Sequence, residues 1–300
     1  MVALLPVVIG TCYLFSASIM FALNGLLFLA LLLKKDYKKS TFRVIMSLNV
    51  SCMLQLFVLA CGGIMTIAQT NFDENLDKIL GAIMQGSWLF YVGITLVLSV
   101  DRLLVFVRPR PAFFSNLTNI LMALCWLFGI ALFILFLCPG YGYTYKVRGN
   151  YYFWTYNNED GSQTVSLIEP YFDLPVLASV FIIYLFVFAY IMKVRKSSNR
   201  QSSSLSQEKK VLLVAVVSCA YELNFVLSGF WLPVELIGPR AKCITFSFLW
   251  IIECGMFVIA TFIISANLRR KTFDLLRNNT KVIMVSSVQK TKSRVTVTAI

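Results

Sequence analysis

Hydrophobic residues run along this chain in unbroken blocks of about 20 to 30, not in the interrupted stripes of a helix half-exposed to water. Stretches with few charges occur at about 7–33, 44–68, 79–107, 115–138, 172–192, 211–234 and 243–268. Each is long enough to cross a hydrocarbon core of about 30 Å at about 1.5 Å of rise per residue. The pattern therefore predicts an all-α membrane protein with seven transmembrane helices. Five spans are uncharged through their centres, whereas Glu222 interrupts the sixth and Glu253 the seventh. The connections leave no room for a soluble domain. Residues 1–278 are expected to form the bundle, and 279–300 a polar, disordered tail.

Two segments outside the spans have a pattern of their own. The connection 139–171 alternates Tyr, Phe and Trp with polar residues and includes an Asn-Asn-Glu-Asp-Gly turn signal. That alternation fits a β-hairpin capping the bundle, and it fits equally well aromatic rings resting at the headgroup layer. Past the last span, "NLRRKTFDLLRNN" sets Phe273 and Leu276 on one face with Arg269, Arg270, Lys271 and Arg277 beside them. This predicts a short amphipathic helix on the inner leaflet over about 269–278.

Composition agrees with the pattern: 58% of the residues are hydrophobic and 14% charged, against about 25% charged in soluble domains. The net charge of +13 could suggest nucleic acid until the basic residues are placed relative to the spans. Twenty-two Lys and Arg fall on one side and only Lys78, Lys146, Arg148, Arg240 and Lys242 on the other. Basic residues collect on the cytoplasmic side, so the N-terminus is expected outside and the C-terminus in the cytoplasm. No nucleic-acid partner is left to invoke. "MVALLPVVIG" lacks the basic start of a cleavable signal peptide, and any ligand is expected to meet the bundle or its loops.

There is no histidine, and all eight cysteines lie within or at the ends of spans, where a thiol behaves as a small hydrophobe. Only Cys138 and Cys243 fall near the outer face, where a disulfide is permitted. No metal and no cofactor are expected, and with no nucleophile elbow or phosphate loop an enzyme is not expected either.

"SVDRLLVFVRP" (99–109) places Asp101 and Arg102 after a long uncharged run. Arg102 lies about 35 Å along the span from Ile79, past the hydrocarbon core and at the cytoplasmic edge. The phrase resembles the Asp-Arg-Tyr motif of rhodopsin-like G-protein-coupled receptors, in which a proline, here Pro109, follows eight residues after the acid. Asn24, Trp126 and Pro175 resemble the landmarks of helices one, four and five. "NLRRKTF", which opens on Asn267, resembles the junction into a membrane-parallel eighth helix. The stretches "KKSTFRVIMSLNVSCMLQL", "QEKKVLLVAVVSCAYELNF" and "FSFLWIIECGMFVIATFIISANLRR" are similar to nematode serpentine chemoreceptors of class x or class t.

The resemblance implies a seven-helix bundle that binds a small chemosensory ligand in its outer half and signals to a heterotrimeric G protein from the plasma membrane. It implies that Asp101 and Arg102 pair at rest and exchange partners on activation. Lys209 and Lys210 would frame the inner cavity, although they also fit ordinary headgroup contact. The chain departs from the pattern as well: Leu103 replaces the tyrosine, the helix-two acid and the Asn-Pro-x-x-Tyr motif are missing, and no cysteine is available to tie the long loop to helix three.

Glu222 and Glu253 lie near mid-membrane on adjacent helices, and no basic residue of the spans reaches their depth. An ionised carboxylate there is costly, so at least one is expected to be protonated. Together with Gln85, Trp88 and Trp250 they are ligand-binding candidates. They are equally consistent with neutral acids bonded to a backbone carbonyl or to Ser218, Asn224 or Ser228. The competing function is a small transporter or ion channel in which Glu222 and Glu253 bind the ion. Finally, Thr298 and Ile300 match the C-terminal pattern that PDZ domains accept by strand addition.

Overall fold

The computed structural model describes residues 4–32, 40–107, 111–147, 152–197, 203–231 and 238–264. Seven helices occur among them: α1 (Leu4–Leu32), α2 (Ser40–Ala68), α3 (Glu74–Val107), α4 (Pro111–Leu137), α5 (Asp160–Ser197), α6 (Ser203–Trp231) and α7 (Pro239–Ile264). Strands β1 (Tyr143–Lys146) and β2 (Phe153–Tyr156) lie between α4 and α5. Six helices are long and apolar enough to cross a membrane, and α6 adds a shorter apolar segment, Ala215–Phe230, among the described residues. The expected helix at 269–278, the tail, Pro109, Asn267 and Thr298 to Ile300 lie outside the described residues.

The helices form a closed ring. Helix α1 packs on α2 and α7, α3 on α2, α4 and α5, and α6 on α5 and α7. Without a hydrophobic force between helices in lipid, close approach depends on small residues. A Cβ on Gly10 would stand 2.6 Å from the Gly63 carbonyl oxygen, so only glycine allows α1 and α2 this contact. Helix α4 lies at the periphery, with Leu124, Leu127, Ile130 and Ile134 exposed, as lipid-facing side chains should be.

Asn24 is wholly buried and donates to the Cys254 carbonyl at 3.2 Å, while its own oxygen accepts from Asn49 at 3.1 Å. One side chain thus joins α1, α2 and α7. Trp126 on α4 donates to Ser47 Oγ at 3.3 Å and packs on Phe90, ring centroids 4.5 Å apart. Pro175 sits inside α5, where its carbonyl accepts from Ser179 Oγ at 2.7 Å.

The aromatic connection is a hairpin. Its strands pair antiparallel with Tyr143 opposite Tyr156 and Tyr145 opposite Trp154, which puts four rings on its buried face. The Asn-Asn-Glu-Asp-Gly turn leads from β2 into α5. That helix begins at Asp160, well before the apolar run from 172.

All eight cysteines are free thiols, so no disulfide ties the hairpin down. It is held by hydrogen bonds as well as by packing. Asp77 accepts from the Tyr145 amide at 3.0 Å and from Asn71 at 2.8 Å, and Asn71 donates in turn to the Tyr145 carbonyl at 2.7 Å. Thr66 and Tyr145 share a hydrogen bond at 2.6 Å. Two glycines make room. A Cβ on Gly81 would fall 1.5 Å from the Tyr143 carbonyl oxygen, and one on Gly62 would fall 3.0 Å from the rings of both Trp154 and Tyr145.

Candidate functional site

Beside the hairpin lies a half-open cavity of about 200 Å³, lined by residues of α3, α5, α6, α7 and both hairpin strands. Its inner wall is a cluster of four rings. Trp88, Phe225 and Trp250 meet edge to face at centroid distances of 5.6 Å, and Phe246 stacks on Phe225 at 4.7 Å. Such contacts fix ring positions as well as burying area. The charged side chains in the lining are Glu169 on α5 and Lys242 on α7.

Glu169 is buried and doubly bonded. Its Oε1 accepts from Gln85 Nε2 at 2.6 Å and its Oε2 from the Tyr156 hydroxyl at 2.6 Å. Tyr156 also accepts from Gln85 at 2.7 Å, so α3, β2 and α5 meet at one carboxyl group. Burial pushes the phenols of Tyr143, Tyr145 and Tyr156 above their ordinary range. They stay neutral donors at physiological pH. One turn below Glu169 on the same face, Asp173 Oδ2 accepts from the Trp88 indole at 2.9 Å, while its buried Oδ1 has no partner among the described residues.

Of the residues singled out by sequence, Trp88 and Trp250 line the cavity and Gln85 is one hydrogen bond from it. Glu222 and Glu253 are buried deeper, outside the lining. The partner of Glu222 is the Tyr91 hydroxyl, at 2.5 Å; Asn224 and Ser228 bond to their own helix backbone instead. Glu253 Oε2 accepts from the Cys254 thiol at 3.5 Å. Trp250 donates to Gln55 at 2.7 Å, continuing through Ser51 to the Ser87 carbonyl.

Sequence reasoning missed Glu169 and Asp173. Glu169 had been read into the outer connection, and Asp173 lay at the first residues of an apolar run. Their spacing of four places both on one face of a helix, and this would have flagged them had α5 been started at the Asp160 turn.

At the other end of the bundle, Asp101 is 3% exposed and held by hydroxyl groups. Ser40 and Thr118 donate to Oδ1 at 2.8 and 3.2 Å, and Thr41 donates to Oδ2 at 2.5 Å. Helices α2, α3 and α4 converge there. Arg102 lies within electrostatic reach of the buried Tyr184 on α5. Lys209 and Lys210 belong to the first turns of α6, and their side chains lie outside the described residues.

This architecture is that of a seven-helix receptor. The structure is similar to the crystal structure of squid rhodopsin, with a TM-score of 0.68 at 14% identity over 89% of this chain and 84% of that one. Residues 5–284 match the family model described as "Serpentine type 7TM GPCR chemoreceptor Srt". The chain belongs to that family, class t of the two that the sequence had left open. Among curated proteins nothing matches.

Proposed function

We propose that this protein is a chemosensory receptor of the plasma membrane that binds a small molecule in the cavity beside the hairpin and signals to a heterotrimeric G protein at its cytoplasmic end. The observation that carries this reading is the cavity itself, bordered by β2 and walled by rings from α3, α6 and α7. Ligand sites are concave, mostly apolar, and carry a few placed polar groups. The lining fits that description, with Glu169 and Lys242 as its charged members.

The N-terminus lies outside and the C-terminus inside, in keeping with the charge asymmetry of the connections. Asp101 and Arg102 then stand at the cytoplasmic rim. A carboxylate held by three hydroxyls at a helix junction can exchange partners at modest cost, since each bond contributes only about 1–3 kcal/mol net. That makes the Asp101 junction a two-state element which ligand binding above and G-protein binding below can both bias.

The test is heterologous expression with a G-protein readout, against a panel of small volatile and water-soluble compounds. Concentration-dependent activation by at least one compound is expected. Ligand-gated ion or substrate flux without nucleotide exchange would favour a transporter or channel and overturn the reading.

A further inference from the structure

The cavity's lining also specifies a ligand class, an inference that rests on the ligand site proposed above. We propose that the ligand is a small protonated amine, its ammonium group seated against Glu169 and its hydrocarbon body against the wall formed by Trp88, Phe225, Phe246 and Trp250.

Size sets the first limit. A protein cavity of about 150 Å³ accommodates benzene, so about 200 Å³ takes a single ring or a short branched chain with one polar group. Shape and chemistry of the wall set the second. Four aromatic rings packed at 4.7 to 5.7 Å present π faces and edges at the inner end, and a desolvated cation over a tryptophan or phenylalanine face is attracted by the ring quadrupole.

Charge sets the third. The donors to Glu169, Gln85 and Tyr156, are both neutral, so they satisfy its lone pairs without cancelling a carboxylate's charge. Asp173 follows one turn deeper with a buried oxygen that has no partner among the described residues, and Glu222 and Glu253 each keep one such oxygen below it. A cation entering the cavity supplies Glu169 with the counter-charge that its neutral donors lack and so favours its ionised form, whereas a carboxylate placed against Glu169 gains no such partner. The basic member of the lining, Lys242, stands near the start of α7, about 12 Å along that helix from Trp250. The cavity is therefore acidic within and basic toward the rim. A simple amine and the amino end of a small zwitterion share the chemistry of the inner half, and the rim lysine separates the two.

The experiment uses the purified full-length receptor in lipid nanodiscs, with binding measured directly for benzylammonium, 2-phenylethylammonium, the neutral isostere 2-phenylethanol, and L-phenylalanine. At least one of the two amines is expected to bind roughly tenfold or more tighter than the alcohol. Glu169→Gln is expected to abolish that preference and Glu169→Asp to retain it. Trp250→Leu, which removes a ring without touching the acid, is expected to weaken the amine more than the alcohol. Phenylalanine binding that depends on Lys242 would assign the amine to a zwitterion, and weak phenylalanine binding would assign it to a simple amine; both outcomes support the class. Alcohol binding as tight as the amines, a preference surviving in Glu169→Gln, or no binding of either amine would overturn it. Activation of G protein by an anionic or neutral compound would then leave the receptor reading standing while the amine proposal falls.

Discussion

The Tyr91 hydroxyl donates to Glu222 Oε1 at 2.5 Å, tying α3 to α6 one turn below Trp88, on whose ring Tyr91 stacks at 5.9 Å. Glu222 Oε2 has no partner among the described residues, so this bond is what satisfies the buried carboxyl group. Tyr91→Phe would strip it and cost about 1–3 kcal/mol of stability, read as a lowered thermal midpoint of the purified receptor. Glu222→Gln keeps an acceptor for Tyr91 and is expected to reach the cell surface in normal amount with its ligand response retained, whereas Tyr91→Phe is expected to lose response. Identical dose-response curves for wild type and Tyr91→Phe would remove the α3–α6 tie from the signalling route.

Seating of the hairpin depends on a missing side chain. Gly81→Ala places a Cβ where the Tyr143 carbonyl oxygen now stands, and because the obstacle is backbone the strand itself must move. Loss of ligand binding and faster proteolysis within 143–156 are expected, with helical circular dichroism retained. Asp77→Ala removes the acceptor of the Tyr145 amide and should act in the same direction more weakly. A Gly81→Ala receptor with wild-type affinity and protease resistance would show that the hairpin does not border the site.

The Asp101 junction predicts coupling between residues distant in sequence. Replacing Ser40, Thr41 and Thr118 together by Ala, Val and Val removes the donors that join α2 and α4 to α3. Ligand-independent nucleotide exchange is expected to rise several-fold. A double-mutant cycle between Asp101→Asn and Thr118→Val should give a coupling energy of about 1 kcal/mol or more. Additive effects and unchanged basal exchange would make the hydroxyls bystanders.

Alkali should release the hairpin. Because burial raises the phenols of Tyr143 and Tyr156 above the ordinary value of about 10, unfolded phenols release their protons first as pH rises. Stability is then unaffected at neutral pH and falls once pH passes about 10. Tyrosinate absorbance should show a late-titrating class coinciding with loss of ligand binding. Binding that declined between about pH 7 and 9, with no tyrosinate formed, would point to another group.

Much of this was legible in the sequence, and the parts that were not share a cause. Hydropathy reports each helix separately, so it found the seven helices and placed Asp101 by its depth along α3. Alternation allowed the strands around Tyr143 and Trp154 as one of two equal readings. Neither signal contains distance between elements. The hydroxyls of Ser40, Thr41 and Thr118 reach Asp101 from other helices, which no signal along the chain reports. Glu222 was matched with polar neighbours on its own helix, whereas Tyr91 arrives from α3. Glu169 was lost for a different reason: α5 opens with a polar turn and carries Pro170, so an apolar window starts it too late.

Filling the cavity tests the proposed ligand site most directly. Val226 is 2% exposed and belongs to the cavity wall, and Val226→Trp would occupy the space a ligand needs. In reconstituted receptor with heterotrimeric G protein, an activating compound should accelerate nucleotide exchange on wild type and produce no acceleration on Val226→Trp. Equal ligand-driven acceleration on both would place the binding site elsewhere and contradict the reading of the outer cavity.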